Sequence, residues 1–264
     1  MQPSQENQYS YEDLLTIMAR LRGPGGCPWD IEQDNQTLLP YLIEETSELI
    51  EAIQNKDDSH VEEELGDVLL QVVFHAQLGS ERGVYDMSGV IDGISKKLVN
   101  RHPHVFGESQ IKDAAAVEEQ WEEIKKKEKG KEHRQSILDD VSRALPGLQY
   151  AAKIQKRAAK VGFDWPDMSG VLDKVQEEIE EVEEARESND QEHVAEEIGD
   201  LLFSVVNYSR HCGVDPEIAL RAATSKFKTR FQAMEKAVPN LKEKNLEELD
   251  DLWNQVKKAG QVGS

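Results

Sequence analysis

The chain has 264 residues, and its 31 Lys plus Arg stand against 52 Asp plus Glu for a formal net charge of −21. That sign excludes a protein that tracks a polyanionic backbone, so neither DNA nor RNA is an expected partner. With 38% hydrophobic residues the chain can still bury a core, while two cysteines, Cys27 and Cys212, are too few for a disulfide scaffold and lack the paired spacing of a zinc site. Met1 to Ser10 is polar and no apolar run approaches the ~20 residues that span a bilayer, so a cytoplasmic protein without a membrane segment is expected.

Helical periodicity runs through nearly the whole chain and period-two alternation is scarce, which predicts an all-α fold. Ser10 and Asp13 form a capping box ahead of Leu14, Leu15, Ile17, Met18 and Leu21, and Gly23-Pro24-Gly25-Gly26 ends that helix. Cys27-Pro28-Trp29-Asp30 reads as a structured turn around a buried Trp. The next helix starts near Leu39-Pro40. Further helices are predicted over Val61 to Leu78, Met87 to Val99, Ala115 to Lys129, Arg143 to Val161, Gly170 to Arg186 and His193 to Arg210. His102-Pro103-His104 reads as a loop at a helix end. Asp215-Pro216 supplies an N-cap followed by proline, and Asn245 with Glu248 repeats the capping-box spacing before Leu249 and Trp253.

An internal repeat organises these elements. Glu44-Glu45-Thr46-Ser47-Glu48 matches Glu177-Glu178-Ile179-Glu180-Glu181, and Glu64-Leu65-Gly66-Asp67 matches Glu197-Ile198-Gly199-Asp200, both at an offset of 133 residues. Lys97 and Arg101 parallel Lys226 and Arg230 at 129, and Trp121 and Lys125 parallel Trp253 and Lys257 at 132. Two divergent copies of one helical domain follow, 1–130 and 131–264, joined through the charged stretch from Lys125 to Gln135.

Each residue of an α-helix turns ~100°, so Glu45 with Glu48, and Glu64 with Asp67, share a face. Leu42, Leu49 and Ile53 form the apolar stripe beside the first pair, and Val61, Val68 and Val72 the stripe beside the second. An antiparallel hairpin of the two helices gathers four acids, and the second copy gathers Glu178, Glu181, Glu197 and Asp200 likewise. At ~5–8 Å and an effective dielectric of ~20, each like-charge pair costs roughly 2–3 kcal/mol. Six such pairs approach the ~5–15 kcal/mol that holds a domain together, so the cluster calls for a cation. All-carboxylate ligation selects Mg²⁺ first and Mn²⁺ second, and the lack of a Glu-x-x-His pair disfavours di-iron. Lys226 and Arg230, at i and i+4 on one helix face, suit phosphate beside such a metal. Trp253 and Lys257 add an aromatic surface and another cation. From another class, a non-catalytic acidic adaptor that uses Mg²⁺ for structure, or binds a basic partner, fits the same charges.

Glu44-Glu45-x-x-Glu48 followed by Glu64-x-x-Asp67, and the equivalent second-copy residues, resemble the signature of the MazG family of nucleoside triphosphate pyrophosphohydrolases. The tandem arrangement, the segments Gly23 to Asp30 and Arg101 to Phe106, and Trp253 to Lys257 are similar to the long, two-domain bacterial members. The resemblance implies a homodimer whose helices complete four-helix bundles, and Mg²⁺-dependent hydrolysis of NTPs and dNTPs, with broad specificity, to the monophosphate and pyrophosphate. It implies that Glu178, Glu181, Glu197 and Asp200 hold the metal and form the catalytic centre, and that Lys174, Lys226, Arg230, Trp253 and Lys257 contact the nucleotide. Glu45, Glu48, Glu64 and Asp67 correspond in the first copy. The resemblance leans toward the C-terminal copy as the working site. A pyrophosphatase restricted to one non-standard (d)NTP is a second enzymatic reading.

Overall fold

The computed structural model describes residues 8–107, 113, 116–117, 120–121, 124, 136–139, 141–188 and 190–261. Among them there is no strand, in keeping with the all-α expectation. The helix expected over Ala115 to Lys129 lies largely outside the described residues, as do Lys125 and the charged stretch that follows it. The chain forms two compact units, Met1–Lys131 and Glu132–Ser264.

The first unit contains α1 (Tyr11–Arg22), α2 (Pro28–Glu32), α3 (Leu39–Asn55), α4 (Asp58–Glu81), α5 (Met87–Arg101) and α6 (Pro103–Phe106). The second contains α7 (Gly147–Ala159), α8 (Met168–Ser188), α9 (Gln191–His211), α10 (Pro216–Ala237) and α11 (Leu246–Gln261), with a 3₁₀ turn at Leu241–Glu243. Short polar side chains set the starts. Ser10 and Asp13 close a reciprocal capping box on α1, and Asn245 with Glu248 does the same ahead of α11. Asp57, Asp86, Asp190 and Asp215 each accept backbone N–H groups of the turn that follows, satisfying donors with no partner inside the helix. These aspartates explain why α4 begins three residues before Val61.

Prolines set other limits. The helix expected from Arg143 begins only at Gly147, because Pro146 holds the residue before it out of the α region. Pro103 likewise turns His102 to φ −120°, ψ 55° and ends α5 at Arg101, whereas α10 continues for seven residues past the equivalent Arg230. The His102-Pro103-His104 loop is in fact the entry to α6, with Pro103 in the first turn, where its missing N–H costs nothing. Pro28 starts α2 in the same way. Trp29 is not buried but 48% exposed, set edge-on to Tyr41 at 5.8 Å, because a five-residue helix has no second face to cover it.

In each unit two long helices make a hairpin, α3 with α4 and α8 with α9, and a shorter helix lies across the second of them, α1 on α4 and α7 on α9. The link from α3 to α4 is two residues long. Lys56 takes the left-handed conformation (φ 57°) and returns its N–H to the carbonyls of Ala52 and Ile53. The core of the first unit is Met18, Leu38, Val73, Phe74 and Leu78, bordered by Leu14, Leu15, Leu70 and Met87. The expected core stripes hold in part: Leu42, Leu49, Val61 and Val68 are half-buried, but Ile53 and Val72 at their ends are exposed while the neighbouring Ala52 and Val73 are buried. Leu65, Leu69 and Val72 form an exposed apolar face, and Ile198, Leu202 and Val205 repeat it on α9. No helix among the described residues is long and apolar enough to cross a membrane.

Phe74 is 3% exposed at the centre of the first core, so Phe74→Ala should lower the stability of that unit by about 3–5 kcal/mol, read from its urea unfolding midpoint.

Candidate metal and nucleotide site

The hairpins gather acids as the helical spacing requires, but in trios. Glu45, Glu48 and Glu64 bring one carboxylate oxygen each to within 4.8 Å of one another, and Glu178, Glu197 and Asp200 do so in the second unit. The trios are not equivalent. By the repeat offset the first leaves out Asp67 and the second leaves out Glu181, so neither expected quartet closes completely. Beside the second trio Lys174 Nζ lies 2.6 Å from Glu178, 2.9 Å from Glu177 and 4.0 Å from Glu181. In the first unit the lysine position is Tyr41, which carries no compensating charge.

Glu64 and Glu178 are almost completely buried, and in each Oε2 has no hydrogen-bond partner. A bare buried carboxylate oxygen is costly, and three hard oxygen donors at this spacing fit a divalent cation of the Mg²⁺ or Mn²⁺ type. The electrostatics carry the same strain. Partial burial raises the carboxyl of Glu45 above its ordinary range, and the charges of Asp67, Glu48, Glu64 and Glu44 add to it. Burial also raises Glu181, with Glu178 and Glu197 adding and Lys174 opposing. Hydrogen bonds to Glu178 and Glu177 hold Lys174 protonated far into the alkaline range.

Beside the second trio opens a cavity of about 900 Å³ that reaches Lys174, Glu178 and Asp200. Its walls are Ile154, Gln155 and Ala158 of α7, Phe163, Asp164 and Trp165 of the following loop, and Phe203, Ser204, Asn207 and Arg210 of α9. Gly162 makes the turn into that loop at φ 86°, a conformation that side chains with a Cβ avoid. The loop is tied to α9 by Asp164, which accepts both guanidinium arms of Arg210 and lies 3.0 Å from His211 Nε2. Arg210 and, after it, His211 hold Asp164 at about 2, against the cost of its burial. Gln155 Nε2 donates to the Phe203 carbonyl at 2.8 Å and keeps α7 on α9.

The first unit carries other residues at the corresponding positions. Leu70, Gln71, Phe74 and Gln77 stand where Phe203, Ser204, Asn207 and Arg210 line the cavity, and Phe74 is a core residue with the Arg22 guanidinium 5.3 Å from its ring centre. Its loop is held by other means: Arg22 donates to the carbonyls of Asp30 and Gln33 and pairs with Glu81.

The remaining expected nucleotide contacts lie on α10 and α11. Arg230 sits 5.7 Å from the Trp253 ring centre, and the Phe227 ring packs on Trp253 at 5.1 Å. Lys226 and Lys257 are exposed, and none of Lys226, Arg230, Trp253 and Lys257 lines the cavity. In the first unit Trp121 packs edge-on against His102 at 4.9 Å and Lys97 is exposed. The cavity walls escaped the motif reading, although Gly26 and Trp29 recur as Gly162 and Trp165 at an offset of 136, a signal the sequence carries.

Residues 33–106 and 168–234 match the model of the MazG nucleotide pyrophosphohydrolase domain, so the matched segments fall on both hairpins. The chain belongs to the MazG family. It is 49% identical to a Thermotoga maritima protein named nucleoside triphosphate pyrophosphohydrolase/pyrophosphatase MazG, over 94% of this chain and 95% of the relative. A nucleoside triphosphate pyrophosphohydrolase of Escherichia coli K12 is 48% identical over 93% of this chain and 96% of its own. The longer protein YabN of Bacillus subtilis is 45% identical over 97% of this chain but only 54% of its own length.

Asp164 has its carboxyl held below the unfolded value of 3.8, so its stabilisation is complete above about pH 4 and is lost as the pH falls toward 2. Asp164→Asn should cost about 2 kcal/mol at pH 7, and in thermal melts the difference from the parent should vanish near pH 2.

Proposed function

We propose that this chain hydrolyses nucleoside triphosphates, ribo and deoxy, between the α and β phosphorus atoms, giving the monophosphate and pyrophosphate. The reaction depends on Mg²⁺ and takes place mainly in the C-terminal copy. One observation carries the reading: a cavity large enough for a nucleoside opens beside the second trio of carboxylates, while the first unit packs Phe74 into its core at the Asn207 position.

Glu178, Glu197 and Asp200 would hold the cation, with Glu181 beside them. The bound metal supplies neutralisation of phosphoryl charge and a water acidified enough to attack phosphorus. The chain's own residues do the rest. Lys174, beside the trio, would offer its ammonium to a phosphate oxygen, and a carboxylate of the cluster would accept the proton of the attacking water. Phe163, Trp165 and Phe203 give the base and sugar an apolar wall, and the size of the cavity supports broad acceptance of bases. The exposed stripes Leu65, Leu69, Val72 and Ile198, Leu202, Val205 support a homodimer that covers them. In that assembly Lys226, Arg230, Trp253 and Lys257 would complete the phosphate side. Two free cysteines suit the cytoplasm.

Ion-exchange analysis of products, with each NTP and dNTP, should find monophosphate plus pyrophosphate with Mg²⁺ and none with EDTA. Diphosphate plus phosphate would place the cut at the wrong bond, and no turnover of any nucleotide would favour the adaptor reading. Glu197→Gln and Asp200→Asn should lower kcat by at least about a hundredfold with the fold intact, and Glu64→Gln or Asp67→Asn much less. Asn207→Phe, which copies the first unit, should raise KM by about tenfold or more while Mg²⁺ binding persists.

A further inference from the structure

His60 and His193 occupy one place in the two copies, 133 residues apart, in the first turn of the second hairpin helix and four residues before Glu64 and Glu197. His60 Nε2 lies 2.8 Å from Glu64 Oε1, and His193 Nε2 lies 3.1 Å from Glu197 Oε1. A carboxylate can only accept, so the ring N–H donates. The imidazoles are 42% and 47% exposed and the carboxylates 6% and 14%, which puts each histidine on the outer side of a nearly buried acid. On Glu64 the outcome is a divided carboxylate, with Oε1 held and Oε2 buried without a partner. Glu178 is divided in the same way, by Lys174 on Oε1.

An i, i+4 contact on a helix surface arises easily, but this one recurs in two copies whose other surroundings have diverged, Tyr41 against Lys174 and Phe74 against Asn207. The last torsion of a glutamate is broad and weakly two-fold, so a free carboxylate samples many orientations that present no oxygen to an ion. A donor clamped to one oxygen removes that freedom before the ion arrives. We propose that His193, and His60 in the first copy, are positioning residues that hold one oxygen of a metal-binding glutamate so that the other faces the cation. The inference rests on the divalent-metal reading above.

The test is Mn²⁺ binding to the full chain, followed by the EPR signal of free Mn²⁺. A Glu64→Gln parent lets the C-terminal cluster dominate the titration. His193→Ala should weaken Mn²⁺ binding by about tenfold or more, the usual consequence of losing an outer partner. His193→Gln, long enough to donate to Oε1, should stay within about threefold of the parent, and His193→Asn, too short to reach it, should bind as weakly as His193→Ala. In steady state, the half-saturating Mg²⁺ should rise by the same factor in the Ala and Asn variants, with kcat regained at saturating Mg²⁺. Equal Mn²⁺ affinity in the parent, Ala and Asn chains would overturn the positioning role and leave the metal site standing, as would a Gln chain as weak as Ala. A wild-type chain that takes up no Mn²⁺ would overturn the metal reading itself.

Discussion

Three carboxylates with ligand oxygens inside 4.8 Å of one another repel by at least about 3.5 kcal/mol per pair at an effective dielectric of ~20, and each hairpin must bear that load. The surrounding structure follows from it. The acids are held on two stiff helices instead of loops, so they cannot drift apart to relieve the strain. Aspartate caps fix where α4 and α9 begin, and the two-residue link at Lys56 fixes how α3 meets α4. Burial raises the carboxyls of Glu45 and Glu181 and the neighbouring acids add to it, while hydrogen bonds to Glu178 and Glu177 keep Lys174 protonated.

The two copies meet the load differently. In the second unit an ammonium sits among the acids and a cavity opens beside them, walled by a loop that Asp164 and Arg210 hold in place. In the first, Tyr41 replaces the lysine and Phe74 fills the core where the second has Asn207. The two copies thus share one hairpin and differ in a few side chains at matching positions. An aromatic ring in a core adds apolar burial that an amide cannot, whereas an amide leaves room and polarity for a ligand. The structural asymmetry between the copies is in that exchange.

Much of the helical plan was legible because periodicity and capping are local. The box at Ser10 and Asp13, the Asp215-Pro216 start and the glycine-rich stop after α1 each act within a few residues. Less legible were Trp29, which stays exposed because its helix is too short to be covered, and the ends of the two apolar stripes, where Ile53 and Val72 are exposed and Ala52 and Val73 are buried instead. Those outcomes depend on what a helix packs against, and a single helix does not encode its neighbour. The histidines were visible as a repeat, yet their meaning required the distances to Glu64 and Glu197.

By itself the amino-acid sequence determined the all-α class, the two copies and the acids that share a helix face, because each depends on spacing along one chain segment. Tertiary structure decided which three of four acids converge, which oxygens stay bare in Glu64 and Glu178, and which side chains wall the cavity beside the second trio. Those properties arise between helices, where a single Phe for Asn changes what meets across the gap. Spacing can bring charges to a common face, but only packing settles how close they come.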